Sequence, residues 1–470
     1  MIQDCKFTTR VIAALFALIL MIGPVSTADS KEGIKLSDEQ VENIVRRSYQ
    51  YVAMYNVINK SAMQKENPTM TGWNGTYTAK GLLDHTIKII ARPNNDTLYV
   101  SSILDLYSEP VIIHYPAFDS KFVCLETSAY DHYCDIPLST TKGDFKKPIK
   151  ILYYTDRSKG YSGEPVKGVD KLLKMSGDYA IAFLRVMPHA AEPDRMQKNI
   201  AAMQKVKLQT LSEYLGKPSK PVEKVNFPAF NTNEGIYENN FLEVMQFVFN
   251  HTTFDPKDKM DQAVLAAVKP LGVEPGKAYD ANAVAKIDGK KFADAAKKIF
   301  EESVAIVSKS EGNPYIYDMF KPKGDMKLEA MLVQSATGPI GVPAHQAIYP
   351  AIVTADGKPM NAQHDYVIRM SKDTMPPAGA FWSATLYDLK NGFFIPNDRK
   401  KYSVGENAGM KLNQDGGIEI SVAAKKPENV PEENWLPINR KDEVLDIIMR
   451  IYAPDMKKLK TWNPPKAEKL

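Results

Sequence analysis

"ARPNNDTLYVSSILDL", residues 91–106, sets two amides, a carboxylate, a hydroxyl and a phenol directly against an apolar run. Leu98 to Leu106 has the length and the Val, Ile and Tyr content of a buried strand. The polar group ahead of it, Asn94, Asn95, Asp96, Thr97 and Tyr99, reads in one of two ways. Asn and Asp bond their own backbone and close turns at the start of a strand. Alternatively, the group is the floor of a site that grips a polar ligand, a sugar included, or holds a hard divalent cation through oxygen ligands. If the site is catalytic, Asp96 is the general base or metal ligand, and Asn94 and Asn95 orient the substrate.

Outward from that stretch, short runs of the same kind recur. "PVIIHYP", "FVCLET", "IKILYYT" and "YAIAFLRVM" are separated by Pro, Gly, Asp and Ser clusters, which predicts an antiparallel β-sandwich over 77–190. Ahead of it, residues 29–76 carry a long amphipathic helix, with Val41, Ile44, Val45, Tyr49 and Val52 on one face and Ser37 as its cap. Behind it, 191–325 reads as a helical connector. One predicted helix runs from Met196 through Val206 or Lys207 to Thr210 or Leu211 and stops at Gly216. From 326 to 470 β-patterning returns in "HDYVIRM", "AFWSATLYD", "IEISVAA" and "EVLDIIMRIYA".

The first residues stand apart. Lys6 and Arg10 precede the apolar run Val11–Ile22, and Ser26 and Ala28 fit a signal-peptidase site. The run is too short to span a bilayer comfortably, which takes about 20 apolar residues, so 1–28 is expected to be a cleaved signal peptide and the protein periplasmic or secreted, with no transmembrane anchor after cleavage. Removing Lys6, Arg10 and Asp4 takes the net charge from +4 to +3 over the 442 remaining residues. That balance offers no concentrated basic face for nucleic acid. Of the three cysteines, Cys5 leaves with the leader, and Cys124 and Cys134 either close a small disulfide loop in an oxidising compartment or stay as buried thiols.

The seven histidines form no HxH or HExxH pair, so a metal site would need ligands from distant segments. His364 and Tyr366 fall on one strand face and are expected to meet Asp96 if the two β units touch. A second polar group, Trp382, Tyr387, Asp388 and Asn397, combines flat aromatic surface with directional polar atoms, either as a small-molecule or glycan cleft or as core residues and a turn before Gly392. No GxSxG elbow, P-loop or GxGxxG is present.

Several of these strings together resemble a known bacterial family. "RPNNDTLYVSSILDL", "EPVIIHYP" and "AIAFLRV" are similar to the first of two linked domains, domain of unknown function 1254. "GVEPGKAYD", "PPAGAFWSATLYDLKNGFFIPNDRKKYSVGE", "LNQDGGIEISV" and "RIYAPDMKKLKTWNPP" resemble the connector and the second, domain of unknown function 1214. The resemblance implies a secreted, mainly β protein with a helical middle: an N-terminal immunoglobulin-like β-sandwich, a helical connector and a C-terminal jelly-roll sandwich, with a homo-oligomer among the assemblies it allows. It implies no reaction. The chain departs from the family's pattern at "AYDHYCDI", so no role passes to His132 by analogy. Two functions remain open on the sequence: an enzyme or small-ligand binder with a site between the β units, built from Asp96, Tyr99, His364 and Tyr387, or a non-catalytic envelope or interaction protein.

Overall fold

The computed structural model describes residues 34–470 apart from 89, 219, 221–223 and 308–312. The expected leader and its cleavage after Ala28 lie outside the described residues. Among these no helix is long and apolar enough to cross a membrane. The chain is mainly β, with most of its helices between two β units.

The N-terminal β unit consists of two sheets facing each other. One has the spatial order Gly75–Thr78, Leu98–Asp105, Tyr179–Val186, Val123–Ala129, Asp135–Ser139; the other runs Lys171–Lys174, Ile149–Tyr154, Val111–Tyr115, Lys207–Thr210. Val100, Leu104, Leu125 and Leu184 of the first meet Ile113 and Ile151 of the second in a closed apolar layer. Each such side chain stabilises the fold by about 1.5–3 kcal/mol relative to exposure. Because successive strand residues point to opposite faces, the alternate positions of the first sheet, Tyr99, Ile103, Ile181, Phe183 and Arg185, are left on its outer face. Ile103 and Ile181 are covered there by the helices.

Those helices gather around Asp38–Met63, whose Ser37 and Gln40 form a capping box. Phe241–Asn250, Lys259–Val268, Gly289–Val307 and Leu328–Thr337 contribute Phe241, Val248, Val264, Ile299 and Leu332 to one core with Tyr51, Val52 and Tyr55. The long helix expected to pass through Thr210 is shorter than its periodicity suggests. It spans Pro193–Met203, and Lys207–Thr210 pairs as a strand with Val111–Tyr115 instead. A free edge of main-chain groups beside that strand makes a tertiary demand that outweighs local helical propensity.

The C-terminal β unit also has two sheets. Val444–Pro454 is central in one, paired with Ala378–Asp388 on one side and with Ala347–Ile348, Ala351–Ile352 and Met360–Asn361 on the other; Ala378–Asp388 also pairs with Ser403–Gly405. The second sheet runs Trp435–Pro437, Ile418–Ala423, Tyr366–Met370, Ala467–Lys469. Between them lie Trp382, Ala384, Leu386, Ile447, Met449, Ile420 and Val422.

The disulfide alternative is not realised: Cys124 and Cys134 are free, buried thiols. The hairpin register explains this. Cys124 faces Ser139, and Thr127 faces Asp135 across a bulge, so Cys134 falls beyond the far end of the ladder rather than opposite Cys124. Both thiols rest in the apolar layer between the β units, with Phe122, Phe381 and Tyr452.

Candidate functional site between the two β units

In "FWSATLYD" the residues Trp382, Ala384 and Leu386 enter the C-terminal core, which leaves Phe381, Ser383, Thr385 and Tyr387 on the outer face. In "DIIMRIY" Ile447, Met449 and Ile451 enter the core, leaving Asp446, Ile448, Arg450 and Tyr452 beside them. The two strands are antiparallel neighbours, with Ser383 opposite Arg450 and Phe381 opposite Tyr452. Their outer face receives the 91–99 segment of the N-terminal unit.

Asp96 is buried there, 1% exposed. Its Oδ2 accepts from Ser383 Oγ at 2.5 Å and from the Tyr452 hydroxyl at 3.3 Å. Asn94 does two jobs. Its Oδ1 accepts from the backbone N–H of Asp96 (2.7 Å) and Thr97 (3.3 Å), closing the expected turn, while its Nδ2 donates to Tyr452 Oη at 2.9 Å. Asn95 likewise spans the boundary, donating to Leu83 O (2.8 Å) and accepting from Ser403 Oγ (3.1 Å). The turn and the site are therefore one object.

Arg450, 4% exposed, is the cation of this group. Its Nη2 donates to Tyr387 Oη at 2.6 Å and to Arg92 O at 3.1 Å, and Tyr387 in turn donates to Pro93 O at 2.7 Å. Its Nη1 is buried with no hydrogen-bond partner among the described residues. Burial works against the Arg450 charge, but the Tyr387, Asp96 and Tyr452 oxygens around it outweigh this and raise its pKa. Burial raises the Asp96 carboxyl above the usual carboxylate range, with Arg450, Ser383 and Tyr452 opposing. Burial also pushes the Tyr387 phenol up to about 12.

On the N-terminal side, Tyr99 lies under the Arg185 guanidinium, 5.5 Å from the ring centroid, and 5.1 Å from Phe183. Arg185 is paired with buried Glu126 at 2.8 Å. Burial raises the Glu126 carboxyl to about 6 against the pull of Arg185.

A cleft of about 810 Å3 opens beside this group, with Arg92, Asn94, Asp446 and Arg450 on one part of its wall and a predominantly apolar remainder, including Ile316, Met319, Ile352 and Trp462. Arg92 is held by Asp446 at 2.7 Å. Asp96, Thr97, Tyr99 and Tyr387 support the wall from within and are not part of it. Two expected residues are elsewhere. Trp382 faces the C-terminal core, because it is out of phase with Ser383 by one residue. His364 is exposed in the bend before Tyr366–Met370, on the far sheet. The strand begins at Tyr366, so the shared face expected for His364 and Tyr366 does not form. Asp388 closes its turn, accepting from the N–H of Asn391 (2.5 Å) and Phe393 (3.0 Å), and Gly392 O then accepts from Arg92 N at 2.7 Å.

The donor set around Asp96 does not suit a divalent cation. Its neighbours are two hydroxyls and an arginine, and a fixed guanidinium opposes a second positive charge. Among the described residues no three His, Cys, Asp or Glu side chains gather to hold a metal. The residues that sequence reasoning missed are Arg450, Tyr452 and Ser383. One signal was available: an arginine inside the otherwise apolar "IIMRIY" run needs a partner wherever that strand is buried.

Comparison with known proteins agrees with this division. Residues 73–210 match the family described as protein of unknown function (DUF1254), and residues 346–456 match protein of unknown function (DUF1214). Among solved structures, the VPA0106 protein from Vibrio parahaemolyticus aligns over 92% of this chain and 99% of its own, at 22% identity and a TM-score of 0.70, which shows a common fold. A protein from Burkholderia cenocepacia aligns over 92% and 93% at 14% identity with a TM-score of 0.40. No curated protein matches the sequence.

Proposed function

Since the chain belongs to the bacterial family that joins domains of unknown function 1254 and 1214, whose descriptions name no activity, we propose a function from the site alone: the cleft between the two β units binds a small organic ligand through a carboxylate, with Arg450 as its anchor. The observation that carries this reading is the Arg450 guanidinium, buried at the cleft wall with Nη1 unpartnered. A buried donor left without a partner costs about 1–3 kcal/mol. A carboxylate oxygen removes that cost and adds a charge-assisted bond of the stronger kind. Asn94 and Arg92, on the same part of the wall, supply further donors. Asp96 acts through Arg450 and Tyr452, as the counter-charge that fixes both, and not on the ligand.

The reading extends to the architecture and the address of the protein. The five- and four-stranded sheets of the N-terminal unit support an immunoglobulin-like sandwich, and the paired sheets of the C-terminal unit support a jelly roll. The leader supports export, with Asp29 as the first residue of the mature chain. A crystal of the protein soaked with an alkyl carboxylate tests the binding reading: carboxylate density within about 3 Å of Arg450 Nη1 supports it, and density elsewhere, or none under conditions that saturate binding in solution, overturns it.

A further inference from the structure

Resting on that reading of the cleft, we infer that its ligand is an aliphatic monocarboxylate, a free single acyl chain whose hydrocarbon tail lies along the apolar wall while its head meets Arg450. Three observations converge on this class. Four polar residues of the wall, Arg92, Asn94, Asp446 and Arg450, form one linked group, in which Arg450 donates to Arg92 O and Asn94 donates to the Tyr452 hydroxyl on the strand that carries Arg450, while Asn313, Thr337 and Lys358 line the cleft as well. A sugar or nucleotide would need directional partners spread around the cavity; here one end is polar and most of the rest is apolar. Next, the volume of about 810 Å3 exceeds what a two- or three-carbon acid can fill. Finally, the apolar surface continues to the mouth, where Tyr317, Val353 and Leu389 line the cleft and remain exposed at 50%, 36% and 43%. Apolar groups that stay wet around an apolar cavity gain free energy when a chain covers them.

The charge balance selects the acid over its neutral relatives. Arg92 is neutralised by Asp446, and Arg450 has Asp96 near it, but that carboxyl is shared with Ser383 and Tyr452 and does not bond the guanidinium. A single negative head group is therefore accommodated at Arg450.

The test is calorimetric titration of the full chain with saturated carboxylates from butanoate to dodecanoate, each below its aggregation concentration, and with the methyl esters of the same acids. The expected result is affinity rising about two- to fourfold per added methylene, with each ester at least tenfold weaker than its acid. Tyr317→Ser and Leu389→Ser, both at exposed positions, should weaken dodecanoate severalfold and leave butanoate unchanged. Carboxylates that bind with no dependence on chain length would overturn the acyl-chain inference and leave the Arg450 anchor standing. Esters that bind as well as acids, with the same chain-length dependence, would show an apolar cleft without the anchor and overturn both, as would failure of every acid to bind.

Discussion

Ser383 donates its hydroxyl to Asp96 at 2.5 Å, joining a turn of the N-terminal β unit to a strand of the C-terminal one across 287 residues of chain. The same Asp96 oxygen accepts from Tyr452, so one carboxyl organises both central strands of the opposing sheet. Asp96→Asn separates its two roles. The amide keeps the shape but removes the charge facing Arg450, and thermal unfolding should show a loss of about 1–3 kcal/mol. Carboxylate affinity should move the other way and tighten severalfold, because Arg450 then lacks its counter-charge. A variant that loses affinity while keeping stability would instead make Asp96 a direct ligand group.

Tyr452 links Asn94 to Asp96 through one hydroxyl and stacks on Phe381 at 4.1 Å with its ring. Tyr452→Phe keeps the stack and removes the link. Denaturant titration should show a loss of about 1–2 kcal/mol, the scale of a buried acceptor left unpaired; Tyr452→Ala should cost about 3–5 kcal/mol, as a large aromatic deletion does. Equal losses for the two variants would mean that the hydroxyl carries the contact and the ring does not.

A pH dependence is expected away from the cleft. Asp261 is buried beside Lys323 (2.7 Å), which also approaches buried Asp131 (3.2 Å). Burial raises the Asp261 carboxyl to about 6, with Lys323 opposing. The folded state thus holds this proton more tightly than the unfolded chain. The stabilisation is complete below pH 3.8, the ordinary value, and is lost as pH rises through about 6. Comparing wild type with Asp261→Asn across pH 4 to 8 removes the contributions of other groups. The wild type should lose ground against the variant with rising pH, by up to about 3 kcal/mol at about 1.4 kcal/mol per pH unit between the two values. A constant difference between the two proteins would contradict it.

Cys124 and Cys134 should behave as inert thiols. Both are buried, and burial raises both thiol pKa values, so alkylation of the native protein should leave their peptides unlabelled. After denaturation without reductant, mass spectrometry should find both labelled. A cross-linked peptide would restore the disulfide.

The motif at residues 94–99 was legible because its chemistry is local: the Asn94 turn and the buried strand after it follow from side-chain bonding and apolar length alone. The site was only half legible. Tyr387 is legible from its aromatic and polar character, but the same character draws Trp382, five residues earlier, into the site although alternation sends it to the core. Reading period two through "FWSATLYD" would have separated them and produced Ser383. His364 was misplaced because the strand starts at Tyr366, and a boundary error of two residues is enough to move a side chain into a solvated bend. Tyr452 meets Asp96, and Arg450 meets Arg92, over more than 350 residues, a distance that no pattern in one sequence encodes. The strand at Lys207–Thr210 was hidden for a related reason, since it exists to pair an edge that only the folded sheet presents.

The most direct measurement is the dissociation constant of one medium-chain carboxylate for wild type and for the double variant Asp96→Asn, Arg450→Met, which removes both buried charges together and so leaves neither uncompensated. The double variant should melt close to wild type and bind at least tenfold more weakly. An unchanged Kd in a folded double variant would contradict the Arg450 anchor.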